Sequence, residues 1–577
     1  MRTLLVLLLL HVGRAAIAQE LLRGRVVDAG DGSPLPYATV LVHSTDRGTI
    51  TNGEGEFAVP ALSEDDALRI SFVGYRARLV TAAMLAADPV VRLERASFTL
   101  SEVTVRPGRA QYDRVMAAVR WLNRAPSVTS RLFFGMETYA DTLPMEVLHA
   151  FFNTRMRSGR IDGLELKQGR IGITERDGRF YINYNTSRAF ALMDILDRRS
   201  PFPLSPLAMG GAQEMRREFV AELVSTGSAP DGVDHLRVTP RKGHGAAFTL
   251  ELWMEPGSDR VRSLQLSCTD CRRHPFLPLF DHGRIDTVDL RYRQTWSTTG
   301  PPLPEVMELD YRMVYAGPDF MQGFRTHAVM HAYDRSVPFI LPLFTYTSEI
   351  PDYRKIGWLP EDSLFWVRQR PPLPTERQQR DMDFLRRNDL RRGGWYQRLS
   401  NERNFLTANY ALWDAERRLW LQAMTSGDPR ETSSRVTEGR SSDHAYSMEG
   451  PKVALVTQLY LDMDSMDGMF THRTATVLDG YRSYYLEPEH PWTACFQNIW
   501  FDLCELERRR LEDRLRMPGM TVERARVLHS EHSTRLASTT QEYLRTTKYG
   551  ADKEALLPWN DQVRQGLGID NLALFGL

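Results

Sequence analysis

Cysteine is scarce in this chain: four residues in 577, Cys268, Cys271, Cys495 and Cys504. So small a number excludes a fold stapled mainly by disulfides. An excess of one charge is also missing, since Lys+Arg and Asp+Glu both count 73. Without a field of one sign, nothing steers the whole chain toward nucleic acid or anionic lipid, and no nucleic-acid partner is expected. After the first dozen residues no apolar run approaches the ~18 residues of a membrane helix, so the mature chain is expected to have none. Recognisable enzyme signatures are missing as well. There is no His-Glu-x-x-His, no His-x-x-Glu of a metallocarboxypeptidase, no Gly-x-Ser-x-Gly and no P-loop. No catalytic, cofactor-binding or metal residue is therefore assigned.

What is present begins with the N-terminus. Met1-Arg2 opens positively, Leu4 to Val12 is apolar but for His11, and Ala16-Ile17-Ala18 is a small-x-small cleavage site. This reads as a secretory signal peptide over 1–18, its apolar core being too short to span a membrane. An exported chain meets an oxidising compartment, in which cysteines can pair. With 42% hydrophobic and 25% charged residues the remainder has ordinary globular composition. At roughly 150 residues per domain, three or four domains are expected.

Residues 20–105 alternate short β-type runs with turn residues. Arg23–Val27, Ala38–His43, Phe57–Val59, Leu68–Phe72, Arg76–Val80 and Val90–Leu93 read as strands, and Asn52-Gly53 as a hairpin turn. Regular short strands with turns every 8–12 residues suggest a sandwich. Four ordered stretches carry a resemblance. They are Gly24-Arg25-Val26-Val27-Asp28 with Gly32-Ser33-Pro34-Leu35-Pro36-Tyr37-Ala38-Thr39-Val40; Gly48 through Phe57, including Gly53 and Gly55; Ile70-Ser71-Phe72-Val73-Gly74-Tyr75; and Leu100-Ser101-Glu102-Val103-Thr104-Val105. The stretch resembles the carboxypeptidase-regulatory-like domain found at the front of Bacteroidetes-type envelope proteins. The resemblance implies a transthyretin-like, carbohydrate-binding-like sandwich. It also implies that Gly24, Asp28, Pro34, Gly53, Gly55, Phe57, Gly74 and Tyr75 are structural, the glycines making turns and the rings filling the core. No catalytic residue follows from it.

Val115, Val119 and Leu122 recur at helical spacing, so a linker helix is expected within 106–127, ended by Pro126. From 128 to 375 strands follow one another with few helices between them, which favours an antiparallel sheet. Phe248–Met254 pairs with Val261–Leu266, Val288–Trp296 with Glu305–Tyr315, and Arg170–Thr174 with Phe180–Tyr184; Ala189–Leu196 reads as a helix. The segment Phe365-Trp366-Val367-Arg368-Gln369-Arg370-Pro371-Pro372-Leu373-Pro374-Thr375-Glu376 looks like the connector of longer proteins of the same group, some of which continue into an outer-membrane barrel. Ten-residue alternating strands are not expected after 376, so no barrel is. Residues 376–577 read as mainly helical, with a flexible loop over 425–452 and a helix pair at Cys495–Arg516 and Thr521–Gly550.

Several clusters admit a chemical and a plain reading. Cys268-Thr269-Asp270-Cys271-Arg272-Arg273-His274 is a candidate disulfide, metal or redox motif; a structural disulfide or free thiols is favoured, because no second ligand pair stands at zinc spacing. Cys495 and Cys504, on one helix, would lie about 13 Å apart, too far to bridge. His529 and His532 lack the spacing of a zinc protease, and Asp462–Gly468 fails the calcium-loop pattern. Trp358, Phe365 and Trp366, and Tyr481, Tyr484, Tyr485 and Trp492, are a core or a glycan-stacking platform, with core favoured.

The expected class is thus multidomain: an N-terminal all-β transthyretin-like sandwich (19–105), a central antiparallel β-rich α+β domain (128–375) and a C-terminal mainly α region (376–577). The expected function is non-catalytic, a binding or structural module in the cell envelope, periplasmic or outer-membrane associated, for a glycan, a peptide or an envelope protein. Two alternatives remain: an accessory of an outer-membrane transport or assembly system, and a hydrolase drawing on Asp502 or Glu505 with His529 or His532.

Overall fold

Between residue 21 and the C-terminus, the computed structural model describes the chain except for 44–47, 61–65, 97–107, 175–183, 228–231, 244, 279–281, 298–302, 347–349, 360–361, 370, 388–409, 420–452, 467–468, 481 and 486–489. The leader, the 425–452 loop, most of the Arg170–Tyr184 hairpin and the Leu100–Val105 motif lie outside the described residues. Contacts divide the chain into two units. Unit 1 holds 1–165, 172–338 and 362–390; unit 2 holds 166–171, 339–361 and 391–577.

Unit 1 begins with the sandwich. Its strands are β1 (Leu21–Asp28), β2 (Thr39–Val42), β3 (Gly48–Ile50), β4 (Glu56–Pro60), β5 (Ala67–Ser71), β6 (Arg78–Thr81) and β7 (Val90–Leu93), with a short helix α1 (Ala82–Ala87). One sheet runs β4-β1-β7 and the other β3-β2-β5-β6. Inward residues Val26, Val40, Phe57, Leu68, Ile70 and Val91 form the core between them. Transfer of the fully buried Phe57 from water is worth about 1.5–3 kcal/mol.

The motif residues take more varied roles than turns and core filling. Gly24 lies inside β1, where a Cβ would stand 2.6 Å from the Phe57 ring paired opposite it. The turn over 51–55 carries the chain from one sheet to the other, so β3 and β4 are not a hairpin. Its left-handed residue is Gly55, at φ +77, and not Gly53. Asn52 holds that turn, its Oδ1 accepting from the backbone N–H of Glu54 and Glu56, both at 2.9 Å. Gly74 also has positive φ, and Pro34 bridges to Val27. Tyr75 is half-buried, and its hydroxyl donates to Asp28 at 2.6 Å. Asp28 also accepts from Arg95 and from the Gly30 N–H. The Tyr75 hydrogen bond, with the Gly30 and Arg95 donors, lowers the Asp28 carboxyl to about 2.

Helix α2 (Arg109–Asn123) is more than a linker, since Tyr112, Val115, Ala118 and Leu122 are buried in unit 1. Arg114 fixes it by donating to Asp234 and to the carbonyls of Glu255 and Ser258. The large sheet is built from β8 (Val128–Ala140), β9 (Leu143–Arg157), β10 (Arg160–Ile173), β11 (Phe219–Ser225), β12 (Asp234–Pro240), β13 (Thr249–Met254), β14 (Val261–Cys268), β15 (Arg284–Trp296), β16 (Pro304–Gly317) and β17 (Phe320–Asp334). The order β10-β9-β8-β17-β16-β15-β14-β13-β12-β11 consists of two meanders joined along β8–β17. Two of the three expected hairpins, β13–β14 and β15–β16, are antiparallel pairs.

Side chains alternate across this sheet. One face carries Met136, Leu250, Leu266, Tyr292, Leu309 and Ala328, all buried. Helix α2 and α3 (Thr186–Leu192) pack there, with Phe190 against Phe134 and Tyr292. A further short helix, α4 (Ala212–Glu218), leads into β11. The opposite face is charged, apart from its β8–β9 end. There Phe133 and Phe151 lie under Phe365 and Trp366 of α5 (Ser363–Gln369), so these two rings are core and not a platform. Helix α6 (Glu376–Arg387) follows.

Among the described residues of 376–577 helix predominates, as expected, but unit 2 adds strands that the helical reading did not include. Strands β18 (Tyr410–Leu412), β19 (Val453–Ala454), β20 (Thr457–Met466), β21 (Met469–Asp479) and β22 (Tyr484–Tyr485) precede the helices, and β20–β21 is a long antiparallel hairpin. Among the described residues of 391–577 the helices lie in the last part: α7 (Pro491–Leu515), α8 (Val522–Thr546), α9 (Leu556–Leu567) and α10 (Asn571–Leu574). Thr521 caps α8, accepting from the Arg524 N–H at 3.2 Å. Among the described residues no helix is long and apolar enough to cross a membrane.

Candidate functional site

The charged face of the large sheet reads as rows across neighbouring strands. One row runs Tyr139 on β8, Arg325 on β17, Arg312 on β16 and Asp289 on β15. The next runs Glu137, His327, Asp310, Arg291, Ser267 and Thr249. These rows wall a cavity of about 580 Å³, closed on one side by Arg377 of α6. The mixture of acids and bases at alternate positions (Asp289, Arg291 and Arg293; Glu308, Asp310 and Arg312) is the sequence signal for this face. A strand that merely faced water would need polar residues there, not an ionised one at nearly every second position.

The sandwich packs against this face beside the cavity. Arg293 lies over the Phe72 ring at 5.2 Å, and the Thr39 hydroxyl donates to Glu305 at 3.3 Å. Burial raises the carboxyls of Glu305 and Glu308, although Arg293 stands beside Glu308. The most specific contact is a relay at the cavity wall. The Tyr37 hydroxyl meets Nε2 of His327 at 2.5 Å, Nδ1 of His327 meets Asp310 at 2.6 Å, and Arg291 donates to Asp310 at 2.8 and 3.0 Å. Tyr37 has φ +59, a left-handed backbone rare for an aromatic residue. Burial pulls the His327 imidazolium down, but the Asp310 hydrogen bond and charge outweigh it, and its pKa is raised.

Hydroxyl, imidazole and carboxylate in line is the order of an activated nucleophile. The electrostatics run the other way. Burial, with the charges of Glu308, Glu137 and Asp310, pushes the Tyr37 hydroxyl well above its ordinary value, so it holds its proton more tightly. Both nitrogens of His327 are engaged within the relay, leaving neither to take a proton from water. The arrangement fastens the sandwich to the sheet.

Cys268 and Cys271 are bridged, with Cα atoms 5.8 Å apart. Cys268 and Thr269 line the cavity edge. The Asp270 N–H donates to Asp289 at 3.0 Å, and His274 is held by the Phe276 carbonyl. Cys495 and Cys504 are buried, free, and carried on the single helix α7; burial raises each thiol to about 12.

The residues of the hydrolase alternative do not converge. Asp502 accepts from Trp413, Arg418 and Asn571, and Glu505 from Thr476, Arg508 and Arg509. His529 meets the Leu459 carbonyl, whereas His532 meets Glu507. Asp462 of the calcium-like stretch is consumed by Lys167, Gln168 and Arg473. No cluster of three metal-ligating side chains occurs among the described residues.

Residues 22–105 match the model of the CarboxypepD_reg-like domain, so the sandwich belongs to that domain family. No curated protein matches the chain. Among solved structures, the Pseudomonas aeruginosa MucA/MucB complex aligns at 10% identity over 38% of this chain and 93% of that one, with a TM-score of 0.15. The LolA superfamily protein NE2245 of Nitrosomonas europaea aligns at 12% identity over 39% and 94%, with a TM-score of 0.14. Scores this low leave both likenesses without weight for fold or function.

Proposed function

We propose that this chain is an exported, non-catalytic envelope protein that holds a ligand in the cavity on the charged face of its large sheet. The observation that carries the reading is the cavity itself. At about 580 Å³ it has the size of a small-molecule site, and its lining converges charged and hydroxyl side chains from six neighbouring strands. In this reading the sandwich keeps the transthyretin-like arrangement of its family and acts as a brace, fixed by the Tyr37–His327–Asp310 relay. The ligand is a glycan, a peptide or a segment of an envelope partner. The leader over 1–18 directs export, and processing after Ala18 is checked by the mass of the secreted chain.

The binding test uses the full mature chain. A panel of soluble glycans and peptides is titrated against wild type and Thr249→Trp, which places an indole on the cavity wall. Binding that the substitution abolishes, with the melting curve unchanged, supports the reading. Equal binding by both proteins sinks it, as does turnover of a panel member by wild type.

A further inference from the structure

Arginines on the charged face fall into two kinds. Arg291 and Arg293 each stand opposite an acid on β16 and pair with it, Arg291 with Asp310 and Arg293 with Glu308. Arg312 and Arg325 instead stand opposite each other on β16 and β17. Like charges directly opposite cost a sheet stability. Both are exposed, both line the cavity, and among the described residues neither makes an ion pair. Asp289, the other cross-strand neighbour of Arg312, points its carboxylate at the Asp270 N–H.

A third cation reinforces the pair. The Tyr139 ring carries the Arg377 guanidinium at 4.0 Å and that of Arg325 at 5.8 Å. An aromatic face positions a guanidinium without occupying its N–H donors. The ring is itself fixed, since its hydroxyl lies between the carboxylates of Glu137 at 2.7 Å and Asp381 at 2.5 Å and its one proton is held there. Arg377 is itself paired with Asp381 at 3.9 Å, so the unneutralised forks at the wall are those of Arg312 and Arg325, groups able to receive an oxyanion through parallel hydrogen bonds.

We infer that the cavity recognises a small acidic sugar, gripping its carboxylate or phosphate between Arg312 and Arg325 while the hydroxyls of Thr249 and Ser267 meet the sugar ring. The inference rests on the cavity being the binding site and adds the chemical class of its occupant. A free inorganic ion would fill only a fraction of the 580 Å³, whereas a sugar acid or sugar phosphate suits it. The wall is preloaded with positive charge, so binding weakens as salt rises.

The test is calorimetric titration of the full mature chain at low salt. Galacturonic acid disaccharide and glucose 1-phosphate are compared with galactobiose and glucose. At least one acidic probe is expected to bind about tenfold or more tighter than its neutral counterpart. Arg312→Gln and Arg325→Gln are each expected to abolish that preference while melting as wild type does. Which acidic probe is preferred separates carboxylate from phosphate as the source. Neutral probes that bind as tightly, and that Thr249→Trp expels, overturn the acidic class and leave the cavity reading standing. Acidic binding unaffected by either arginine variant overturns the inference in the same way. No millimolar binding by either acidic probe overturns it too, and binding by any probe that survives Thr249→Trp removes the cavity reading as well.

Discussion

Unit 2 and the charged face of unit 1 both carry many ionised groups, yet they treat them oppositely. In unit 2 each buried carboxylate is surrounded: Asp502 by Trp413, Arg418 and Asn571, and Glu507 by His532, Arg510 and Arg535. On the sheet, Arg312 and Arg325 face each other, Arg325 over the Tyr139 ring, and among the described residues neither has an acid. A charge taken from water must be compensated or it unfolds its surroundings. A charge kept at the wall of an open cavity is under no such demand. The difference teaches where to look for function in this molecule: not where charges are most concentrated, but where the chain has declined to neutralise them.

The comparison breaks most easily at Asp502. Asp502→Ala leaves the Arg418 guanidinium, only 13% exposed, without its carboxylate, and a loss of about 3–5 kcal/mol is expected by urea unfolding followed in the far-ultraviolet. A loss below about 1 kcal/mol would mean that unit 2 does not depend on its saturated networks. Tyr37→Phe keeps the ring but deletes the hydroxyl that meets His327, and about 1 kcal/mol should be lost from the unit 1 transition. Acid sharpens the contrast inside the sandwich. The folded carboxyl of Asp28 lies at about 2, below an ordinary aspartate, so its stabilisation is present above about pH 4 and disappears as pH falls through 2. Tyr75→Phe removes the largest cause of that shift, and the difference in urea midpoint between wild type and variant should shrink from pH 5 to pH 2. The smallest effect has the opposite sign. Arg312→Gln should change stability by no more than about 0.5 kcal/mol, and toward greater stability, because it relieves the facing charges. A clear destabilisation would show that Arg312 serves the fold.

Much of the architecture was legible from residues alone. The sandwich declared itself through Gly24, Phe57, Gly74 and Tyr75, and the paired strands β13–β14 and β15–β16 through alternation. The hairpin β20–β21 was missed because Asp462, Asp464, Met463 and Met466 blur its apolar face and resemble a calcium loop. Its Asp462 is in fact drawn to Lys167, far away in sequence. The 51–55 turn was misread because Asn52-Gly53 is the usual positive-φ pair, whereas the chain here needs its left-handed step at Gly55 to switch sheets. The cavity could not be found by motif at all. Its charges come from separate strands and become neighbours only through register; Arg312 and Arg325 gain meaning as a pair once β16 and β17 are known to place them opposite.

The order of strands in the large sheet also bears on how the molecule assembles. Nearly every neighbouring pair is linked by a short connection and can form as a local event, but the β8–β17 seam joins residues as distant as Thr138 and Thr326, 188 positions apart. Closing so long a loop is entropically slow, so the two meanders are expected to form first and zip together last. Tyr139 and Glu137 lie on one side of that seam, and Arg325 and His327 on the other. Arg312, Arg325, Ser267 and Thr249 therefore come together within one meander, whereas the Tyr139 ring that backs Arg325 arrives only when the seam closes, so a partly folded molecule would hold its cationic pair before that pair has its support.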